Sequence, residues 1–180
     1  MAKAISASEL GIDLKPADDA SLFKWFVASF LMGKRIQAPI AAQAYKVIVE
    51  EQGRDTPRKL QHCTSRELVS MLGRAHYVRY DESTAQRLLD LSAKLNSEYA
   101  GKITHMRSAS KDRQAFEKRL GEFDGVGPKT IEIFMRDAAA DIVGVASFAV
   151  VDAIFGGGVR VLQRAVEQRD APVVLTHQCM

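Results

Sequence analysis

Two glycines separated by one apolar residue, Gly125-Val126-Gly127, stand between two segments with helical periodicity. Because glycine has no Cβ atom, this spacing lets the backbone turn tightly between two helices. Val126 is expected to turn inward and anchor the connection. The free amides of the turn and of the next helix then point outward together, where they bind a phosphate with the help of the helix dipole. The stretch 120–134 therefore predicts a phosphate-binding hairpin.

Basic residues accompany this turn. Lys129 falls at the start of the second hairpin helix and Lys118 in the first, so both add positive charge beside the amides. Lys34 and Arg35 follow another predicted helix, either as further contacts or as a solvated turn. The predicted phosphate-contacting set is Gly125, Val126, Gly127, Thr130, Lys118, Lys34 and Arg35.

The stretch 120–134 resembles the helix-hairpin-helix element of DNA repair proteins. Across roughly residues 21–155, the order of predicted helices is also similar to that of the endonuclease III-like superfamily of DNA glycosylases. The resemblance implies an all-α, glycosylase-like fold that binds double-stranded DNA through the hairpin. It also implies a base-excision-repair DNA N-glycosylase with abasic-site lyase activity through a lysine Schiff base.

The same resemblance implies two catalytic residues. In lyase-active members of the superfamily the nucleophile is a lysine two residues after the second hairpin glycine, the position of Lys129. A catalytic aspartate follows in a Val-Asp-x-x-x-Phe-like setting, which residues 151–155 resemble, so Asp152 is predicted. The residues alone leave other readings open: Lys129 as a surface or phosphate-contacting lysine, and Asp152 as a helix cap or solvated carboxylate, with Asp137 and Asp141 as rivals.

The chain departs from the superfamily at its cysteines. Many members end in four cysteines that hold an iron–sulfur cluster, whereas this chain has only Cys63 and Cys179. One chain cannot build a four-thiolate site from two thiols, so we expect no iron–sulfur cluster, no other metal and no cofactor. Lys34 lies near the position where the superfamily uses a glutamine wedge to fill the gap left by a flipped base.

Periodicity and capping signals predict the elements that would position these residues. Helices are predicted over residues 21–32, 38–52, 83–99, 111–121, 128–140 and 159–168, with shorter ones after Thr56 and after Thr64, where Glu67 completes a capping box. The only strand candidates are 148–151 and 173–175. We expect two helical lobes with the hairpin at the mouth of the cleft between them. The predicted divisions are a loosely ordered lead-in (1–20), the helix-hairpin-helix domain (21–155) and a C-terminal helix and tail that pack on it (156–180).

Composition narrows the class of protein without deciding it. Hydrophobic residues make up 47% of the 180 residues, a globular composition. The formal net charge of +3 permits nucleic-acid binding but does not demand it. No apolar run is long enough to span a bilayer, and the two distant cysteines suit a reduced setting. We expect a cytoplasmic monomer; the rival functions are a non-catalytic helix-hairpin-helix DNA-binding protein and a helical adaptor that binds protein.

Overall fold

The computed structural model describes residues 4–143, which are helical and contain no strand, in agreement with the predicted all-α class. The helices are α1 (Asp19–Met32), α2 (Ala38–Tyr45), α3 (Pro57–Gln61), α4 (Ser65–Arg74), α5 (Asp81–Tyr99), α6 (Ile103–Ser108), α7 (Arg113–Leu120) and α8 (Pro128–Val143). The chain divides into two units, Met1–Gly144 and Val145–Met180. The predicted elements at 148–151, 159–168 and 173–175, the tail 156–180 and Asp152 lie outside the described residues.

Helix α1 forms the centre of the core. It is apolar on nearly every side, and such a helix is stable only when it is surrounded by protein. It packs against α2, α6 and α8. Trp25 is fully buried and donates its indole N–H to the carbonyl of Phe134 at 3.0 Å, which ties α1 to α8. The helix predicted over residues 21–32 is therefore present, and it lies in the core.

Aromatic side chains join α1 to the hairpin helices. The Phe26 ring meets the rings of Phe123 and Phe134 edge to face, with centroids 5.7 and 5.4 Å apart. Phe116 of α7 lies 6.5 Å from Phe134. All four side chains are buried. Edge-to-face pairs add to the stabilisation that burial alone provides, so the hairpin is held on the core by several aromatic contacts.

Local capping signals are confirmed where the sequence predicts them. Thr56 accepts a hydrogen bond from the Lys59 amide and begins α3. Thr64 and Glu67 form a complete capping box at the start of α4. Each cap satisfies amides that have no partner inside the helix, which is why these helix starts can be identified from the sequence.

The structure differs from the sequence-based expectation in three places. The second predicted helix changes at Lys46–Glu51 into a π-helical turn. The lead-in is packed rather than loose, because Ala7, Leu10, Ile12 and Leu14 are all buried; the Ala7 amide also donates to Asp137 of α8 at 2.7 Å. Helix α6 was not predicted at all.

Within the described residues, no helix has the length and apolar character needed to cross a membrane.

Candidate nucleic-acid interface

The connection between α7 and α8 is a tight turn anchored from inside. The side chains of Phe123 and Val126 are buried, and the Val126 amide donates to the Phe123 carbonyl at 3.0 Å. Gly125 has a φ of +78°, in the left-handed region where a Cβ atom is strained. Two expectations are thus confirmed: Val126 points inward, and a glycine is needed in the turn.

The start of α8 presents amides without partners inside the helix. The first helical hydrogen bond recorded for α8 runs from the Ile131 amide to the Gly127 carbonyl, at 3.1 Å. The amides of Lys129 and Thr130 precede it, and Pro128 has no N–H to offer. A Cβ atom on Gly127 would meet no atom within 4 Å. The space over this glycine is therefore open, as an approaching phosphate requires.

Lys34 lies directly against the turn, although 91 residues separate it from Gly125 in the chain. Its Nζ donates to the Gly125 carbonyl and stands 4.3 Å from the centroid of the Phe30 ring. The side chain is half-buried. Burial lowers the pKa of Lys34, the nearby Arg87 cation lowers it further, and Asp124 acts in the opposite direction. Two regions that the sequence suggested separately are thus brought into one site.

Helix α5 supports the turn from a side that the sequence did not reveal. Arg87 Nε pairs with Asp124 Oδ2 at 3.0 Å, and Lys94 Nζ donates to the Glu122 carbonyl at 3.1 Å. Residues 87 and 94 are seven apart and lie on the same face of α5. This spacing is visible in the sequence, but nothing in it indicates which other element that face contacts.

The remaining predicted site residues differ in their exposure to solvent. Lys129 is exposed and pairs with Glu132 at 2.9 Å, with 63% of its side-chain surface accessible. Lys118 and Arg35 are exposed as well. Thr130 is only 1% exposed, and its hydroxyl faces Gly33 of the α1–α2 connection. Its side chain is therefore a helix-packing group and not the predicted DNA contact. For the backbone amide of Thr130 a phosphate contact stays a prediction.

No family model, no curated protein and no solved structure matches the chain. The resemblance to the glycosylase superfamily consequently stays a prediction.

The predicted catalytic residue Asp152 lies outside the described residues. Its rival Asp137 binds the Ala7 amide and Arg136, which gives that carboxylate a structural role. Among residues 4–143 no group of three or more His, Cys, Asp or Glu side chains is arranged to hold a metal ion.

The connection between α4 and α5 exposes apolar side chains. Val78 is 67% and Tyr80 48% exposed, the large hydrophobic residues most open to solvent among those described. Tyr77, which follows α4 and precedes Val78 in the chain, is fully buried. Its hydroxyl donates to the Leu31 carbonyl of α1 at 3.4 Å. This contact ties Tyr77 to the last turn of α1, three residues before Lys34. Tyr77 therefore packs between helices.

Proposed function

We propose that the protein binds double-stranded DNA through its sugar–phosphate backbone, with the α7–α8 hairpin as the main grip. The observation that carries this proposal is the hairpin itself: a turn anchored by Val126, an unobstructed Gly127, and the unpartnered amides at the start of α8. Such amides form charge-assisted hydrogen bonds with a phosphate. The cations of Lys34, Lys129 and Arg87 near the turn add to the attraction.

The reaction in this proposal is excision of a damaged base. The enzyme flips the damaged nucleotide out of the duplex. A neutral lysine amine at the hairpin then attacks C1′ of the sugar, the bond from C1′ to the base breaks, and the base leaves with one proton of the amine. Transfer of the second amine proton to O4′ breaks the C1′–O4′ bond, which opens the sugar ring and leaves a carbon–nitrogen double bond, the Schiff base. Lys129 is the amine that the family resemblance predicts, and Asp152 is the carboxylate predicted to stabilise positive charge on the sugar. Tyr80, exposed at the start of α5, the helix that carries Arg87, supplies a ring that can stack on a base or sugar.

The binding proposal is tested by the salt dependence of affinity for an undamaged duplex. Each phosphate that a lysine or arginine neutralises releases counterions, so the logarithm of the association constant should fall with the logarithm of salt concentration, by about 0.9 per contact. Fluorescence anisotropy over a salt series measures this slope. Lys129→Gln should reduce its magnitude by about one contact. An affinity that does not change with salt would contradict the proposal.

A non-catalytic DNA-binding protein is the second candidate, favoured by the exposure of Lys129 and its ion pair with Glu132. Both candidates predict salt-dependent binding, and they differ only in turnover. The experiment is a screen of duplexes that each carry one damaged base, read as base release and strand cleavage. Release from any one lesion supports the glycosylase, whereas binding without release from all of them supports the non-catalytic candidate.

A further inference from the structure

Two lysines flank the hairpin turn, and their surroundings differ. Lys129 extends into solvent and pairs with Glu132 on the surface. Lys34 is half-buried between the Phe30 ring and the Gly125 carbonyl. Lys34 Nζ and Arg87 Cδ both lie within 3.0 Å of the point that a Cβ atom on Gly125 would occupy. The Lys34 amine is therefore held against the turn and next to a second cation, whereas the Lys129 amine lies on the exposed surface in an ion pair with Glu132.

We propose that Lys34 is the amine that forms the Schiff base with an abasic nucleotide, and that Lys129 contacts phosphate. This inference rests on the proposed function, because it needs a DNA backbone bound on the hairpin. A phosphate held by the amides of Gly127, Lys129 and Thr130 is bonded directly to two sugars of the DNA backbone. Lys34 donates to the carbonyl of Gly125, two residues before the first of those amides, so its amine is close to the proposed phosphate position.

The reaction requires no further reagent. The lone pair of the neutral Lys34 amine adds to C1′ of the ring-opened sugar, which is an aldehyde. The nitrogen loses its two protons to the former carbonyl oxygen, which leaves as water, and a carbon–nitrogen double bond remains. The reaction involves no oxidation or reduction.

The surroundings of Lys34 favour the reactive form of the amine. Burial and the Arg87 cation lower the pKa of Lys34, and Asp124, itself paired with Arg87, only partly offsets them. A lowered pKa increases the fraction of neutral amine at a given pH. A neutral amine has two N–H bonds and one lone pair, so it can still donate to the Gly125 carbonyl while its lone pair stays available.

The test is borohydride trapping on an abasic duplex, since borohydride reduces a Schiff base to a permanent crosslink. Lys34→Arg keeps the cation and its hydrogen-bond donors, so it should fold and bind DNA, but a guanidinium cannot form the imine. At equal DNA occupancy we expect Lys34→Arg to lose trapping and Lys129→Gln to retain it. The control is Lys59→Gln, because Lys59 of α3 pairs with Asp55 far from the hairpin. Pro57 of the same helix lies against Gly101, which follows α5 and is roughly 20 Å along the direction of α5 from Arg87.

Mapping the crosslinked peptide of the unmodified protein gives an answer that does not depend on any variant. A crosslink on the peptide that contains Lys34 supports the inference. A crosslink at Lys129, trapping by Lys34→Arg at the level of the parent protein, or no trapping at all would overturn it. DNA affinity measured in the same samples separates this failure from that of the proposed function, because the hairpin grip fails only if binding itself is absent or independent of salt.

Discussion

At the scale of single residues, the two hairpin glycines differ in whether the fold requires a glycine at that position. Gly125 has a positive φ, and a Cβ atom there would come within 2.7 Å of Arg87 Cδ and 3.0 Å of Lys34 Nζ. Gly127 has neither constraint: its φ is not in the left-handed region, and a Cβ atom would meet nothing within 4 Å. The first glycine is needed for the fold of the turn, and the second has no such reason to be a glycine.

Alanine variants of the two glycines should therefore separate folding from DNA binding. Gly125→Ala should lower the free energy of unfolding by about 1–2 kcal/mol, the cost of a left-handed conformation for a residue with a Cβ atom. Gly127→Ala should change it by no more than about 0.5 kcal/mol. The methyl group that this substitution introduces would stand where a phosphate approaches. The Gly127→Ala variant should therefore still bind DNA more weakly, by about tenfold or more, as expected for the loss of a hydrogen bond to a charged group.

Denaturant unfolding and DNA titrations of both variants check these expectations. Glycine and alanine differ only by one methyl group, so Gly73→Ala on α4 is a suitable control: a Cβ atom there also meets nothing within 4 Å, and the residue is outside the hairpin. If Gly127→Ala keeps both its stability and its affinity for DNA, the amides at the start of α8 are not the phosphate site.

At the scale of elements, the contact between the end of α1 and the start of α8 is unusually close. A Cβ atom on Gly33 would lie 2.0 Å from the Thr130 hydroxyl oxygen and 3.1 Å from the Ser29 carbonyl oxygen. Thr130 is buried there. The absence of a side chain at Gly33 thus brings Lys34, the next residue, close enough to α8 to reach the hairpin turn.

Gly33→Ala should consequently force the two elements apart and lower the free energy of unfolding by about 1–3 kcal/mol, the usual cost of overpacking. Removing the hydroxyl in the double variant with Thr130→Ala should restore part of this loss, since the closest of the clashing atoms is then gone. Thermal or denaturant unfolding of the two single variants and the double variant measures the coupling between them. Effects that simply add would show that the two positions do not meet.

At the scale of the whole molecule, the cations in the proposed DNA-binding site are brought together by the fold and not by the overall composition. The net charge of +3 is small for 180 residues. Lys34, Arg87 and Lys94 come from two different helical regions, yet all three meet the turn at residues 122–125. Local clustering of this kind determines the electrostatic attraction of a phosphate more than the total charge does.

The chain as a whole should also hold no iron–sulfur cluster. Its two cysteines cannot supply four thiolates, and Cys63 is buried, with a pKa that burial raises. The purified protein should be colourless and free of stoichiometric iron, as checked by visible absorption and metal analysis. A broad iron–sulfur absorption band that disappears in Cys63→Ser would contradict this expectation and indicate a cluster shared between chains.

The sequence by itself determined the features that depend on neighbouring residues. The caps at Thr56 and Thr64, the helical periodicity of α1 and α5, and the glycine turn between α7 and α8 each arise from interactions over three or four positions, so their signals are readable in order along the chain. The all-helical class follows from the sum of these signals.

Only the tertiary structure decided which residues surround the hairpin. Lys34 meets Gly125, Arg87 pairs with Asp124, Thr130 turns toward Gly33 and away from solvent, and the Ala7 amide donates to Asp137. Each contact joins segments that are distant in the chain, and its strength comes from packing and burial, which no short sequence pattern encodes. The two glycines of the turn look equivalent in the sequence, and they differ because only Gly125 has the side chains of α5 and the α1–α2 connection pressed against it.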